Sequence, residues 1–301
     1  MSVAIQKMVA EIRRLADEQD VTIMAHNYQI PPIQDLADLV GDSLVLAMEG
    51  PRVESDTILF CGVAFMAETV KILAPTKRVI HPIPDSRCPM AGMVDHEILR
   101  GLREEHPGAP VVAYVNTTAE TKAVSDVCCT SANAVDVVRS LPEPTVIFVP
   151  DRNLGSYVQR MVPEKEVVLY PGYCHVHDGI TLNDVGRLRE AHPGAGVLAH
   201  PECRPEVLES SDHVYSTEGM IRHAARSSAD EFIVLTEKEL AYRLETVTGK
   251  RAYAPDAVCP NMKKITLEGV LEALRTGGPD IVLDRNLMGR ARRPILRMLG
   301  D

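Results

Sequence analysis

No two cysteines of this 301-residue chain are spaced Cys-x-x-Cys, so the paired-thiolate pattern of a tetrahedral zinc site is missing. No run of 18 apolar residues occurs, and nothing is expected to span a membrane. Positive charge is scarce. Against 42 Asp and Glu stand 32 Lys and Arg, a formal charge of −10, which argues against a face for nucleic acid or an anionic membrane. An apolar leader is also lacking, because MSVAIQKMVAEIRRLADEQD reads as a charged amphipathic helix. There is no low-complexity tract and no long linker, so one compact body is expected. Seven cysteines, an odd count without secretory context, point to reduced thiols in the cytoplasm and to cofactor ligation rather than a disulfide framework.

What the chain does have is an internal repeat. REEHPGAPVV (Arg103 to Val112) returns as REAHPGAGVL (Arg189 to Leu198), and the match continues through Asp126 with Asp212 and Ser131 with Thr217. A more diverged first copy pairs Ala25 with Ala113, His26 with Tyr114, Tyr28 with Asn116 and Ser43 with Ser131. A period this long implies whole supersecondary units. Short β-branched runs (Val21 to Ala25, Thr57 to Cys61, Val111 to Val115, Thr145 to Val149, Val197 to Ala199, Phe232 to Leu235) alternate with helical patterns such as Ala64 to Leu73, His96 to Glu105, Ala132 to Ser140, Asn183 to Ala191 and Glu237 to Glu245. The expected fold is therefore α/β, with three repeated three-layer units of parallel sheet around a pseudo-threefold axis. The expected boundaries are 1–88, 89–174 and 175–301, the last with a C-terminal helical closure. Units this small are marginal alone and should pack on one another.

Three sets of chemistry-bearing residues follow the repeat. Cys88, Cys174 and Cys259 are separated by 86 and 85 residues and follow the Pro- and Gly-rich loops HPIPDSRC, YPGYC and APDAVC. If the loops meet, three thiolates would ligate one metal centre; a 4Fe-4S cluster so held keeps one iron open as a Lewis acid. The bland alternative is three small buried hydrophobes. Cys61, Cys128, Cys129 and Cys203 lack this pattern and are expected to be buried in the structure. The second set is His26, Tyr114 and His200 with Tyr28, Asn116 and Glu202, just past the first strand of each copy. Residues two apart share a strand face, His and Glu suit proton transfer, and Tyr and Asn suit orientation. The third set, Ser43, Ser131 and Thr217, opens helical stretches. Its members read as N-caps, and three converging helix N-termini would also hold a small dianion. His177, three residues past Cys174, is expected to contact substrate or metal centre rather than to ligate.

AHNYQIPPIQDLADLVGDS (Ala25 to Ser43), FMAETVKIL (Phe65 to Leu73), AYVNTTAETKA (Ala113 to Ala123), TSANAV (Thr130 to Val135), HPEC (His200 to Cys203) and CPNMKKITL (Cys259 to Leu267) together resemble the quinolinate synthase family, from the first helix to the C-terminus. The resemblance implies a three-unit α/β fold, a 4Fe-4S cluster on Cys88, Cys174 and Cys259, and condensation of iminosuccinate with dihydroxyacetone phosphate to quinolinate in de novo NAD biosynthesis. It implies iminosuccinate-binding positions at His26, Ser43, Tyr114, Asn116, Ser131, His200, Glu202 and Thr217. Glu202 is expected as general base, with His26 and His200 positioning or shuttling protons; Tyr28 and His177 are further active-site positions. The expected partners are the two small substrates and, transiently, the enzyme supplying iminosuccinate. Two stretches depart from the family pattern: Glu218 adds a carboxylate beside Thr217, and SRCPMAG around Cys88 differs, so that ligand rests mainly on the repeat. A metal-dependent aldolase or dehydratase using His26, His200 and Glu202, and an iron-sulfur sensor, are the competing readings.

Overall fold

The computed structural model describes residues 3–300, so Met1, Ser2 and Asp301, which the expected helix and unit boundaries include, lie outside the described residues. Among the described residues, twelve strands form three four-stranded sheets. The first holds β1 (Val21–His26), β2 (Leu39–Gly41), β3 (Thr57–Cys61) and β4 (Arg78–Ile80). The second holds β5 (Val111–Tyr114), β6 (Val127–Cys129), β7 (Thr145–Val149) and β8 (Glu166–Leu169). The third holds β9 (Gly196–Ala199), β10 (His213–Val214), β11 (Glu231–Leu235) and β12 (Arg251–Tyr253). Every pairing is parallel, and each sheet runs in the order second, first, third, fourth strand. The chain is thus three repeated parallel α/β units, as its sequence period requires.

That strand order fixes where ligands can sit. The chain leaves the first strand of each sheet toward one edge and returns to the other side for the third, so the connections part at the carboxyl ends of these two strands. His26 ends β1, Tyr114 ends β5, and His200 follows β9 directly. The six central strands were legible because they are short, β-branched and nearly fully buried; the six flanking ones have only two to four residues.

The repeat is carried by side chains as well as by topology. Asp38, Asp126 and Asp212 each accept a backbone N–H from the first half of the unit's first strand, from Ile23, Val111 and Val197, at 2.7 Å in all three cases. Arg13, Arg103 and Arg189 pair with the same carboxylates at 2.9, 2.7 and 3.5 Å. Lys77, Lys165 and Lys250 form a second triplicate, each capping two carbonyls: Val53 and Ser55, Leu141 and Glu143, Ala224 and Ser227. Asp126→Ala should cost about 1–3 kcal/mol, since it strands a strand-opening donor. Urea denaturation measures this, and a loss below about 0.5 kcal/mol would locate the stabilisation elsewhere.

Two compact units are formed. One comprises the described residues up to Cys88 together with Cys259–Met288. Its core sets Ile12 and Ala16 of the helix Val3–Glu18 and Ile23 and Leu59 of the sheet against Val270, Leu271 and Leu274 of the helix Leu267–Thr276. The other comprises Pro89–Val258 and the residues from Gly289 onward, and contains the second and third sheets. Val185, Val197, Ile233 and Leu235 lie in its third-sheet core. Among the described residues no helix is long and apolar enough to cross a membrane.

Candidate active site

Within the larger unit, the carboxyl ends of the second and third sheets bring together Tyr114, Ser131, Cys174, His177, His200 and Glu202. The Glu202 carboxylate is the hub. The Tyr114 hydroxyl donates to Oε1 at 2.5 Å, and His177 Nδ1 lies 2.9 Å from Oε2. The same Nδ1 is 3.3 Å from Cys174 Sγ, and Nε2 lies 2.9 Å from Thr236 Oγ1. An ionised carboxylate can only accept, which assigns a proton to Nδ1. The His177 ring stacks on His200 with centroids 4.5 Å apart.

The two strand-end histidines are set alike. His26 Nδ1 accepts from Tyr28 N at 3.1 Å and His200 Nδ1 from Glu202 N at 3.4 Å, which leaves the proton of each neutral ring on Nε2. His200 Nε2 then donates to Ser131 Oγ at 3.2 Å. In the second copy, where Tyr114 replaces histidine, Thr117 Oγ1 ties the loop back to the Tyr114 carbonyl at 3.0 Å. Asn116 Oδ1 beside it is a buried acceptor with no hydrogen-bond partner among the described residues, open to a donor.

Burial drives the Glu202 carboxyl up, but the charge and hydrogen bond of His177, the field of the His200 ring and the Tyr114 hydroxyl outweigh it and bring it down to about 2. Asp151 goes the other way. Burial and the facing Glu202 carboxylate push it well above its ordinary value, although the N–H groups of Leu154, Cys174 and Asn153 donate to it. Two neighbouring carboxyls held apart in this way is an arrangement found where proton transfer occurs. Asn153 Nδ2 adds a bond to the Glu202 carbonyl at 3.1 Å and one to Asp178 at 3.0 Å.

Asp151 and Thr236 are not among the residues singled out from the sequence. They follow β7 and β11, the third strands, whose ends the topology places beside the first. An aspartate directly after a β-branched run and before a helix was the available signal, since Asp151 caps the helix Arg152–Met161.

Ser43 and Thr217 are displaced by one position from the expected N-cap role. The caps there are the preceding residues: Asp42 accepts from Leu44 and Val45 N, and Ser216 from Gly219 N at 3.3 Å. Ser131 is no cap either, since Asn133 precedes the helix Ala134–Ser140, and Thr130 Oγ1 accepts from Ala132 N at 3.2 Å. The backbone turns helical only after these extended residues, so Ser43 and Thr217 occupy the first helical position and Ser131 the turn before the helix Ala134–Ser140. Glu218 lies in the first turn of the helix Thr217–Arg226, where a carboxylate interacts favourably with the helix dipole.

In the smaller unit His26 and Tyr28 meet edge to face at 4.7 Å, and Lys263 Nζ donates to the Tyr28 carbonyl at 2.6 Å. The stretches carrying Cys88 and Cys259 are tied to one another. Ser86 Oγ donates to the Asn261 carbonyl at 2.8 Å, and Lys264 Nζ to the Asp85 carbonyl at 2.9 Å. None of the seven cysteines, all among the described residues, forms a disulfide. They divide into two classes. Cys61, Cys128, Cys129 and Cys203 are buried, and burial pushes every one of these thiols up, Cys128 to about 12 even with Lys122 drawing it down. Cys88, Cys174 and Cys259 are partly exposed in loops. Only the second class suits thiolate ligation. Three such sulfurs fit the demand of a 4Fe-4S cluster with one open iron. Cys174 Sγ also lies with a His177 nitrogen and a Glu202 oxygen inside a 4.8 Å span, a group compatible with a metal cofactor.

The chain is similar to known proteins over nearly its whole length. The profile of the family described as Quinolinate synthetase A protein matches residues 10–300. The chain is 54% identical to the quinolinate synthase of Methanoregula boonei over 292 residues, covering 96% of both chains. It is 48% identical to that of Thermococcus onnurineus over 299 residues, 98% of both, and 44% identical to that of Alkaliphilus metalliredigens over 295 residues, 97% of both.

Proposed function

The chain belongs to the quinolinate synthase family, and we propose that it condenses iminosuccinate with dihydroxyacetone phosphate to quinolinate, phosphate and water, as a transferase of de novo NAD biosynthesis. Cys88, Cys174 and Cys259 would hold a 4Fe-4S cluster. When bound, that cluster supplies a Lewis acid through the iron that the protein leaves unligated.

The observation that carries the reading is the buried chain Tyr114, Glu202, His177, Cys174, which runs from a general base to a cluster ligand through hydrogen-bond distances only. Ring formation needs a carbon–carbon and a carbon–nitrogen bond, with loss of phosphate and water and no net redox change. Glu202, held ionised by Tyr114 and His177, removes protons from the condensing carbon skeleton. His200 and His26 present Nε2–H groups of fixed tautomer and deliver protons to departing oxygens. Ser43, Ser131 and Thr217 bind carboxylate or phosphate oxygens, Asn116 offers its unmet acceptor to a substrate N–H or O–H, and Tyr28 assists tautomerisation. The burial of His200, Glu202 and Tyr114 favours exclusion of water from hydrolysis-prone intermediates. The same lability favours a transient contact with the enzyme that supplies iminosuccinate, and an oxygen-sensitive centre favours the reducing cytoplasm.

The test is anaerobic incubation of iron- and sulfide-reconstituted protein with dihydroxyacetone phosphate and iminosuccinate formed in situ from oxaloacetate and ammonia. Quinolinate should accumulate with one phosphate released per ring; no quinolinate from a cluster-loaded preparation would refute the activity. The span of Cys174, His177 and Glu202 supports a second reading, a single divalent ion in a dehydratase or aldolase. Turnover with zinc or manganese in iron-depleted protein would favour it.

A further inference from the structure

The loop that precedes each of Cys88, Cys174 and Cys259 is docked in the same way in all three copies. The N–H of the third residue past the third strand, on Ala64, Arg152 and Lys238, donates to the carbonyl two residues before the cysteine, on Ser86, Gly172 and Ala257, at 2.8, 2.9 and 2.9 Å. The residues on either side of that donor differ from copy to copy. They are Val63 and Phe65, then Asp151 and Asn153, then Glu237 and Glu239. In the first copy both side chains are apolar and the loop docks all the same, so the docking itself asks for no polar group there. Asp151 and Asn153 are nonetheless buried, and a buried polar pair that the repeat does not require calls for another use.

Their partners show that use. Asp151 accepts the N–H of Cys174 at 3.1 Å, which holds the start of the short helix His175–Asp178. Asn153 commits both N–H bonds of its amide: one goes to the Asp178 carboxylate at 3.0 Å, at the end of that helix, and the other to the Glu202 backbone carbonyl at 3.1 Å. His177 sits on the same helix, and its Nδ1 meets Glu202 Oε2 at 2.9 Å. The amide therefore bridges the backbone of Glu202 to the helix that carries its partner. Asp178 does not depend on it, since Arg152 and Arg204 pair with that carboxylate at 3.2 and 3.1 Å, so its loss would be felt at Glu202. We propose that Asn153 is a positioning residue for the reaction: its amide fixes Glu202 relative to the helix His175–Asp178 and so sets the contact between Glu202 and His177. The inference rests on the reading of Glu202 as general base given above.

The experiment compares wild-type holoenzyme with Asn153→Leu and Asn153→Asp by steady-state kinetics, iron content and thermal unfolding, and repeats Asn153→Leu in Glu202→Gln protein. Leucine fills the space without either donor; aspartate keeps the shape but turns acceptors toward acceptors. A folded variant should unfold within a few degrees of wild type and keep its iron. Its kcat should fall about ten- to a hundredfold while KM for both substrates stays within about threefold, because a displaced base costs turnover rather than binding. In the Glu202→Gln background the same substitution should change kcat by less than about threefold, since the group being positioned is gone. A kcat within about threefold of wild type in a folded single variant would overturn the proposal. So would an equal fold-loss in both backgrounds, or iron lost in proportion to kcat, either of which would make the amide a general support of the fold or of the metal site. Failure of both single variants to fold would overturn it as well. If wild-type holoenzyme made no quinolinate, the general-base reading would fail first and take this inference with it.

Discussion

Glu202→Gln is expected to lower kcat by about a hundred- to ten-thousandfold while leaving the cluster absorption intact. Glutamine keeps the volume and one carbonyl oxygen for the Tyr114 hydroxyl, but it has no proton affinity to offer and presents an amide where His177 Nδ1 now finds a carboxylate oxygen at 2.9 Å. Cys174 is untouched by the change, so any loss of visible absorption would mean that the carboxylate supports the metal site rather than the chemistry. A resting carboxyl at about 2 is a weak base, and under the proposed function the bound dianion would correct this. A dianion brought beside a buried carboxylate disfavours its charged form and raises it toward the range where proton abstraction is efficient. Turnover within a factor of about three of wild type would remove Glu202 from the role of base.

Much of this site could be read before any coordinates because the repeat marks it three times. A lone Tyr114 or His200 carries little weight, but repeat-equivalent residues of two copies that meet in one cluster are more than accidental polarity. The readable part was the first strand of each unit. Its end carries His26, Tyr114 and His200, and its β-branched interior announces itself. The residues that were not read lie where the signal depends on topology. Asp151 and Thr236 follow third strands, and only the strand order brings those ends beside the first. Flanking strands such as Leu39–Gly41 and His213–Val214 are too short to show periodicity. The cap assignment slipped by one residue at Ser43 and Thr217 because Asp42 and Ser43, and Ser216 and Thr217, are adjacent pairs of residues that all favour caps. Backbone conformation alone decides between them. The grouping of Cys259–Met288 with the residues up to Cys88 is a long-range packing event, driven by Val270, Leu271 and Leu274, that a linear period does not encode.

Cys174→Ser should abolish the broad visible absorption that develops on anaerobic reconstitution with iron and sulfide, and turnover with it. Serine preserves shape at this position but replaces a soft thiolate with a hydroxyl that stays protonated near neutral pH, and iron–sulfur clusters are held by thiolates. The backbone around it should persist, because Asp151 accepts the residue's N–H and Asp178 N donates to its carbonyl, bonds that the substitution leaves in place. Far-UV circular dichroism should therefore match wild type while the iron content falls. Cys61→Ala is the control: this thiol is buried at the end of β3 and held protonated by its surroundings, so its removal trims packing without touching the iron content. Full-intensity absorption in Cys174→Ser, or loss of iron in Cys61→Ala with the fold intact, would reverse the division of the seven cysteines into ligating and packing classes. The division itself follows from one physical difference: a thiol inside a sheet cannot readily give up its proton, whereas a thiol in a partly exposed loop can.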